Sequence, residues 1–161
     1  LHPLPTSFET IIERCLEPSL YNAKVLKEFI ATAEAHNQSN YPVHIKFNTG
    51  LNRLGFWEND VDYIVSKLQE TKSVIGKSIF SHLAASEDKN EATFSNKQIE
   101  SFKSTAKAFE NKIDYKPWLH LCNTSGVINY PDAHLDLVRC GIGLYGFGNS
   151  AKEDKNLKPV A

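Results

Sequence analysis

The chain contains no methionine, not even at position 1, so the expectation is a piece cut from a longer polypeptide. Long apolar runs are missing too. No stretch approaches the ~20 residues a membrane-spanning helix needs, and the opening LHPLPTSFE has neither the basic nor the apolar region of a secretory signal. Charge of one sign is also lacking. Lys and Arg number 18 against 19 for Asp and Glu, a net charge of −1, with no basic block. That balance excludes the electrostatic footprint of a nucleic-acid or anionic-membrane binder and leaves small, neutral or zwitterionic partners. Cysteine is scarce: Cys15, Cys122 and Cys140 are odd in number, widely spaced and never arranged as CxxC. Neither a disulfide framework nor a zinc or other metal site is indicated, and a reducing cytoplasm fits best. What is present, 161 residues of which 41% are hydrophobic and 23% charged, describes one soluble globular domain with enough apolar material for a core. It shows no internal repeat, linker or low-complexity tract.

Helical and strand patterns take turns along it. TSFETIIERCL offers Thr6 and Glu9 as a capping box, with Phe8, Ile11, Ile12 and Cys15 at helical spacing. NAKVLKEFIATAEAH repeats the pattern through Val25, Leu26, Phe29, Ile30 and Ala33. A third helix is expected from about Asn59 through Glu70, and a fourth from a Ser95/Gln98 capping box through Ile99, Phe102 and Phe109. Between them lie the strand candidates LEPSLY, VHIKF, KSIFSHL, WLHLCN and LDLVRC. About five parallel strands alternating with helices make an α/β fold.

The polarity of the strands narrows this to a barrel. In VHIKF the two-residue period sends Val43, Ile45 and Phe47 to one face and His44 and Lys46 to the other. Strands of an open doubly wound sheet are covered by helices on both faces, whereas a polar alternate face suits a barrel interior near its functional end. His82 near the end of SIFSHLA, His120 in WLHLCNTSG and Arg139 at the end of LDLVRC repeat the habit. The active face of a (β/α)8 barrel is built from such strand ends and the loops after them. Each residue alone has a plainer structural reading: a satisfied core histidine, Gly50 and Gly55 in a turn, a snorkelling Lys46. Recurrence of a cationic or imidazole group in four consecutive βα units favours a site.

HIKFNTGLNRLGF, SHLAASED, HLCNTSG and LVRCGIGLYG resemble, in this order, four blocks of the alanine racemase family. The resemblance covers nearly the whole chain. It implies a partial (β/α)8 TIM barrel, residues 1–161 forming the C-terminal part of the family's N-terminal barrel, about strands four to eight. It also implies pyridoxal 5'-phosphate as cofactor, L- and D-alanine as substrates and a role in peptidoglycan synthesis. Five strands of an eight-stranded barrel leave two sheet edges with unpaired backbone groups, so a homodimer or larger species is expected on geometry. The lysine that binds the cofactor would lie upstream of Leu1. The second catalytic base, a tyrosine, would lie in a β domain beyond Ala161, with NLKPVA as the approach to that boundary. The fragment alone is accordingly expected to be inactive.

By the same resemblance Lys46 is carbamylated and orients Arg53, which holds the substrate carboxylate or the cofactor's phenolic oxygen. Arg139 faces the pyridine nitrogen and, staying protonated, keeps it neutral; His82 and His120 position Arg139. Thr124 supplies a hydroxyl, and Gly141 and Ile142 backbone donors, to the phosphate, with Asn123 supporting that loop. Asn48 stands where the family usually has aspartate and Cys140 where it often has proline, which bears on phosphate affinity. A racemase for another amino acid, a decarboxylase of similar fold and a non-catalytic pyridoxal-phosphate-binding barrel are the competing readings. Arg139 speaks against the decarboxylase, which would need an acid at that place.

Overall fold

Asn22 begins the best-capped long helix: its side chain accepts from the Val25 amide at 2.8 Å, closing one of the orphan donors of a helix start. The computed structural model, which describes residues 3–155 and 157–160, runs this helix as α2 (Ala23–Ala35). Of the segments singled out in the sequence, Leu1, His2, Asn156 and Ala161 lie outside the described residues. Helix α1 is Phe8–Glu13, α3 Val61–Gln69, α4 Ala92–Glu110, α5 Thr124–Asn129 and α6 Ala151–Asp154. Four strands, β1 (Ser19–Leu20), β2 (Tyr41–Lys46), β3 (Val74–Phe80) and β4 (Trp118–His120), pair in parallel in sequential order. Each crossover carries a helix, the arrangement of a barrel wall.

The helical spacing read from the sequence is the buried face in α2 and α3, whereas of the four residues read for α1 Phe8 and Ile12 are buried, Ile11 is half-buried, and Cys15 lies past the end of the helix and is exposed. Val25, Leu26, Phe29, Ile30 and Ala33 of α2, and Val61, Ile64, Val65 and Leu68 of α3, are all buried. Val43 and Ile45 of β2 and Ile79 of β3 meet them with no exposed surface. Phe29 sits at the centre, edge-on to Phe8 at 5.2 Å and tilted against Tyr41 at 5.7 Å. Among the described residues no helix is long and apolar enough to cross a membrane.

Three local expectations are corrected. Helix α1 is not started by a Thr6/Glu9 box: a 3-10 turn, Pro5–Ser7, leads into it, and its N-cap Ser7 makes no side-chain cap bond. Proline's fixed φ does the work of entry instead. Helix α4 starts at Ala92, a turn before Ser95, after a 3-10 turn that Asp88 caps through the Asn90 amide. Ser95 and Gln98 are therefore buried within the helix, and Gln98 Oε1 accepts from Ala84 N at 2.9 Å, which ties down the loop after β3. The third correction concerns LDLVRC, which forms no strand; only Leu137 bridges to His120. The segment does lie along β4, since Asp136 N donates to Leu119 O and Arg139 N to Cys122 O. The Asp136 carboxylate, however, accepts the Leu119 amide at 2.8 Å. A side chain thus takes a bond that the backbone ladder would have made.

Candidate active site

Polar residues at the strand ends converge on one cavity of about 400 Å³. A bulge between Val43 and His44 sets His44 opposite Ser78 and Lys46 opposite Phe80; His120 follows in register beside Phe80 on β4. Lys46, Arg53, His82, His120 and Arg139, far apart in sequence, all line the cavity, together with Ser19, Tyr21, His44, Phe80 and Leu137. Of these lining residues, the sequence reading had placed His44 on the polar face without assigning it to the site, and had not singled out Tyr21 or Phe80. The signal for Phe80 was available: with His82 it shares the alternate face of KSIFSHL.

Arg139 is the most heavily anchored of these groups. It bonds to His120 Nδ1, and its second terminal nitrogen donates to Ser81 O at 2.7 Å and Leu121 O at 3.1 Å and lies 3.3 Å from His82 Nδ1. Its guanidinium lies over the Phe80 ring at 5.2 Å, and that ring is stacked on His120 at 4.7 Å. No carboxylate pairs with Arg139, Lys46 or Arg53 among the described residues. Burial lowers Arg139 to about 10, which leaves it protonated at neutral pH. Burial and then the charge of Arg139 push His120 down to about 3 and His82 to about 4. Both rings are therefore neutral, and because arginine only donates, each turns an unprotonated Nδ1 to it. An arginine has five N–H donors, so this network leaves donors available toward the cavity.

Lys46 is buried and held below the ordinary lysine range by desolvation first and then by Arg53 and Arg139. A buried, unpaired ammonium between two guanidinium groups favours any change that removes or reverses its charge. Arg53 itself is exposed on the loop after β2. Asn48 closes that loop, Oδ1 accepting from the Asn52 amide at 2.9 Å and the Gly50 amide at 3.2 Å. An amide thus supplies the acceptor that the family's aspartate would offer. The loop returns through Gly55, where φ is +136° and a Cβ would lie 2.6 Å from Asn48 N. Gly55→Ala is expected to cost about 1–3 kcal/mol and to displace Arg53, as thermal unfolding of the variant would register.

The expected phosphate-binding residues form a separate cluster outside the cavity lining. Asn123 caps α5, accepting from Gly126 N at 2.9 Å, and also accepts from Ser86 Oγ at 2.8 Å. Thr124 is buried, and its Oγ1 accepts from Gly141 N at 3.0 Å and Gly143 N at 3.2 Å. The Gly141 amide, expected to face a phosphate, is instead engaged with Thr124. That bond draws the loop after Arg139 onto the start of α5 and leaves the Thr124 hydroxyl proton as a donor. Ile142 heads the 3-10 turn Ile142–Tyr145, where the first amides have no partner within the turn. Among the described residues no cluster of His, Cys, Asp or Glu is placed to hold a metal ion.

These residues fit pyridoxal phosphate on their donor chemistry. A fixed guanidinium without a carboxylate partner can donate to a ring nitrogen without protonating it, and hydroxyl and backbone donors at the neighbouring loop suit a phosphate.

Comparison with known proteins agrees with the family resemblance. The family model for the alanine racemase N-terminal domain matches residues 1–148. The chain is 31% identical over 144 residues to alanine racemase 1 of Oceanobacillus iheyensis, covering 88% of this chain and 38% of that protein. It is 32% identical over 158 residues to the Clostridium tetani alanine racemase, covering 94% and 40%. The solved Corynebacterium glutamicum alanine racemase superposes with a TM-score of 0.83 at 25% identity, over 98% of this chain and 43% of that one. The chain thus spans about two fifths of the length of these relatives. By its family match, its relatives and the four ordered blocks, the chain belongs to the alanine racemase N-terminal domain family.

Proposed function

We propose that the protein carrying this chain is a pyridoxal-phosphate-dependent racemase that interconverts L- and D-alanine for peptidoglycan synthesis. In this reading residues 1–161 are the C-terminal part of its catalytic barrel. The observation that carries it is the Arg139 guanidinium, fixed by two neutral imidazoles and two carbonyls, with no carboxylate paired to it among the described residues. The alanine racemase of Bartonella henselae was solved with covalently bound pyridoxal phosphate, which supports the choice of cofactor.

In this reading the bound cofactor supplies an electron sink for the pair left at Cα when its proton is removed. Arg139 would donate a hydrogen bond to the cofactor's ring nitrogen without giving up its proton, and would thereby favour return of a proton to Cα over transamination. His82 and His120 hold Arg139 in place and, being neutral, add no charge of their own. Thr124, Asn123, Gly141 and Ile142 form the phosphate end, Thr124 by its hydroxyl proton, Ile142 by its amide, Asn123 and Gly141 by shaping the loop. Lys46 as a carbamate orients Arg53, and Arg53 receives the substrate carboxylate as planar guanidinium groups do. The proposed assembly is a homodimer in the cytoplasm, a location in keeping with three free thiols.

The test is racemisation of L-alanine by the full-length protein with added pyridoxal phosphate, followed by circular dichroism. D-alanine forming only when the cofactor is present supports the reading; a cofactor-bound but inert protein refutes the enzyme assignment.

A further inference from the structure

The hydrogen bonds that hold Arg139 do not end at His120. His120 Nε2 lies 2.9 Å from Ser78 Oγ, which lies 2.6 Å from His44 Nδ1, and His44 Nε2 lies 2.9 Å from Glu17 Oε2. The two ends fix the direction of this chain. Arginine offers only donors and an ionised carboxylate only acceptors. His120 Nδ1 therefore accepts, and its Nε2–H donates to Ser78. Ser78 passes its own hydroxyl proton to His44 Nδ1, and His44 Nε2–H donates to Glu17. Reversing any link would set two donors face to face at Arg139 or strand the Glu17 carboxylate. The other Glu17 oxygen accepts from Lys77 at 2.7 Å. That bond, ahead of the one from His44, holds the carboxylate below its usual range.

We propose that Glu17 is a positioning residue for Arg139, the anionic end of a relay through His44, Ser78 and His120 that presents a fixed, electron-rich Nδ1 to the guanidinium. The proposal rests on the reading of Arg139 as the group that faces the cofactor ring. Its physical basis is that Arg139, a half-buried cation, has no carboxylate partner among the described residues, while polarised hydrogen bonds strengthen one another along a chain whose Ser78 and His120 links are buried and whose Glu17 end is exposed. Partners behind a contacting imidazole fix its tautomer and raise its basicity in the same way. Ser78 is the coupler: fully buried, it is the one link able both to accept from one ring and to donate to the other without titrating.

The experiment is a double-mutant cycle read by NMR of isotope-labelled histidine in the full-length protein. In the unaltered protein His44 and His120 should each appear as one neutral tautomer with the proton on Nε2. Glu17→Gln should shift the ring nitrogens of both histidines; in a Ser78→Ala background the same substitution should shift His44 alone. An unmoved His120, or one that moves equally in the Ser78→Ala background, would overturn the relay, as would a proton on His120 Nδ1. Kinetically, Glu17→Gln should lower kcat for alanine racemisation roughly 2- to 30-fold with KM for alanine unchanged, because Glu17 does not line the cavity. An unchanged kcat beside intact NMR coupling would remove the positioning role. Absence of racemisation in the unaltered protein would instead refute the proposed function, with the NMR cycle still deciding whether the relay exists.

Discussion

Arg139→Glu in the full-length protein is expected to lower the racemisation rate by roughly 10²–10³-fold, the scale at which loss of one preorganised electrostatic contact acts, and to raise the yield of pyruvate per turnover. The local geometry is unforgiving. Arg139 now supplies donors to His120 Nδ1, His82 Nδ1 and the carbonyls of Ser81 and Leu121. A carboxylate there would place acceptors against four acceptors. It can be accommodated only by picking up protons itself or by driving His82 and His120 into charged forms, which burial opposes. In the proposed mechanism the same acid would share its proton with the pyridine nitrogen, deepening the sink and favouring transamination. Quantifying pyruvate against D-alanine checks this; an unchanged ratio would mean that Arg139 does not touch the ring.

Acid is expected to destabilise the domain before most carboxylates titrate. His120 and His82 are lowered to about 3 and about 4, burial being the larger cause in both, from an ordinary value near 6.5. Between those limits the unfolded chain binds protons that the folded chain refuses, so stability rises with pH. It is fully present above about pH 6.5 and is lost as pH falls toward the folded values. Glu17, also lowered when folded, acts in the same direction. Between about pH 7 and about pH 5 the two imidazoles together should cost about 2–3 kcal/mol, after discounting the partial exposure of His82. Urea unfolding at the two pH values measures it, and His120→Gln, which has no ring to protonate, should remove part of the slope. A flat profile would show that the rings are charged in the folded state.

The helices and the two-sided strands were legible because periodicity is a local property. Val25, Leu26, Phe29, Ile30 and Ala33 fall on one stripe whatever they pack against, and the alternation in VHIKF separates His44 and Lys46 from Val43 and Ile45 before any partner strand is known. Helix starts were less legible: Ser95 and Gln98 have the side chains of a capping box, yet Asp88 and the 3-10 turn begin α4 earlier and leave both buried against the loop after β3. The strand read into LDLVRC failed for a comparable reason, since Asp136 competes with the backbone for the Leu119 amide.

For the site, the sequence by itself singled out Lys46, Arg53, His82, His120 and Arg139, which stand in the blocks that resemble the family's, and the chemistry proposed for them rests on that resemblance. Only the tertiary structure decided how they meet. The register of β2, β3 and β4 sets His44, Ser78 and His120 side by side, and Thr124 takes the Gly141 amide that had been expected to face a phosphate. Hydrogen bonds between residues 42 and 34 positions apart leave no periodic trace in the chain: a buried serine reads like any other serine until the strands on either side bring two imidazoles to its hydroxyl.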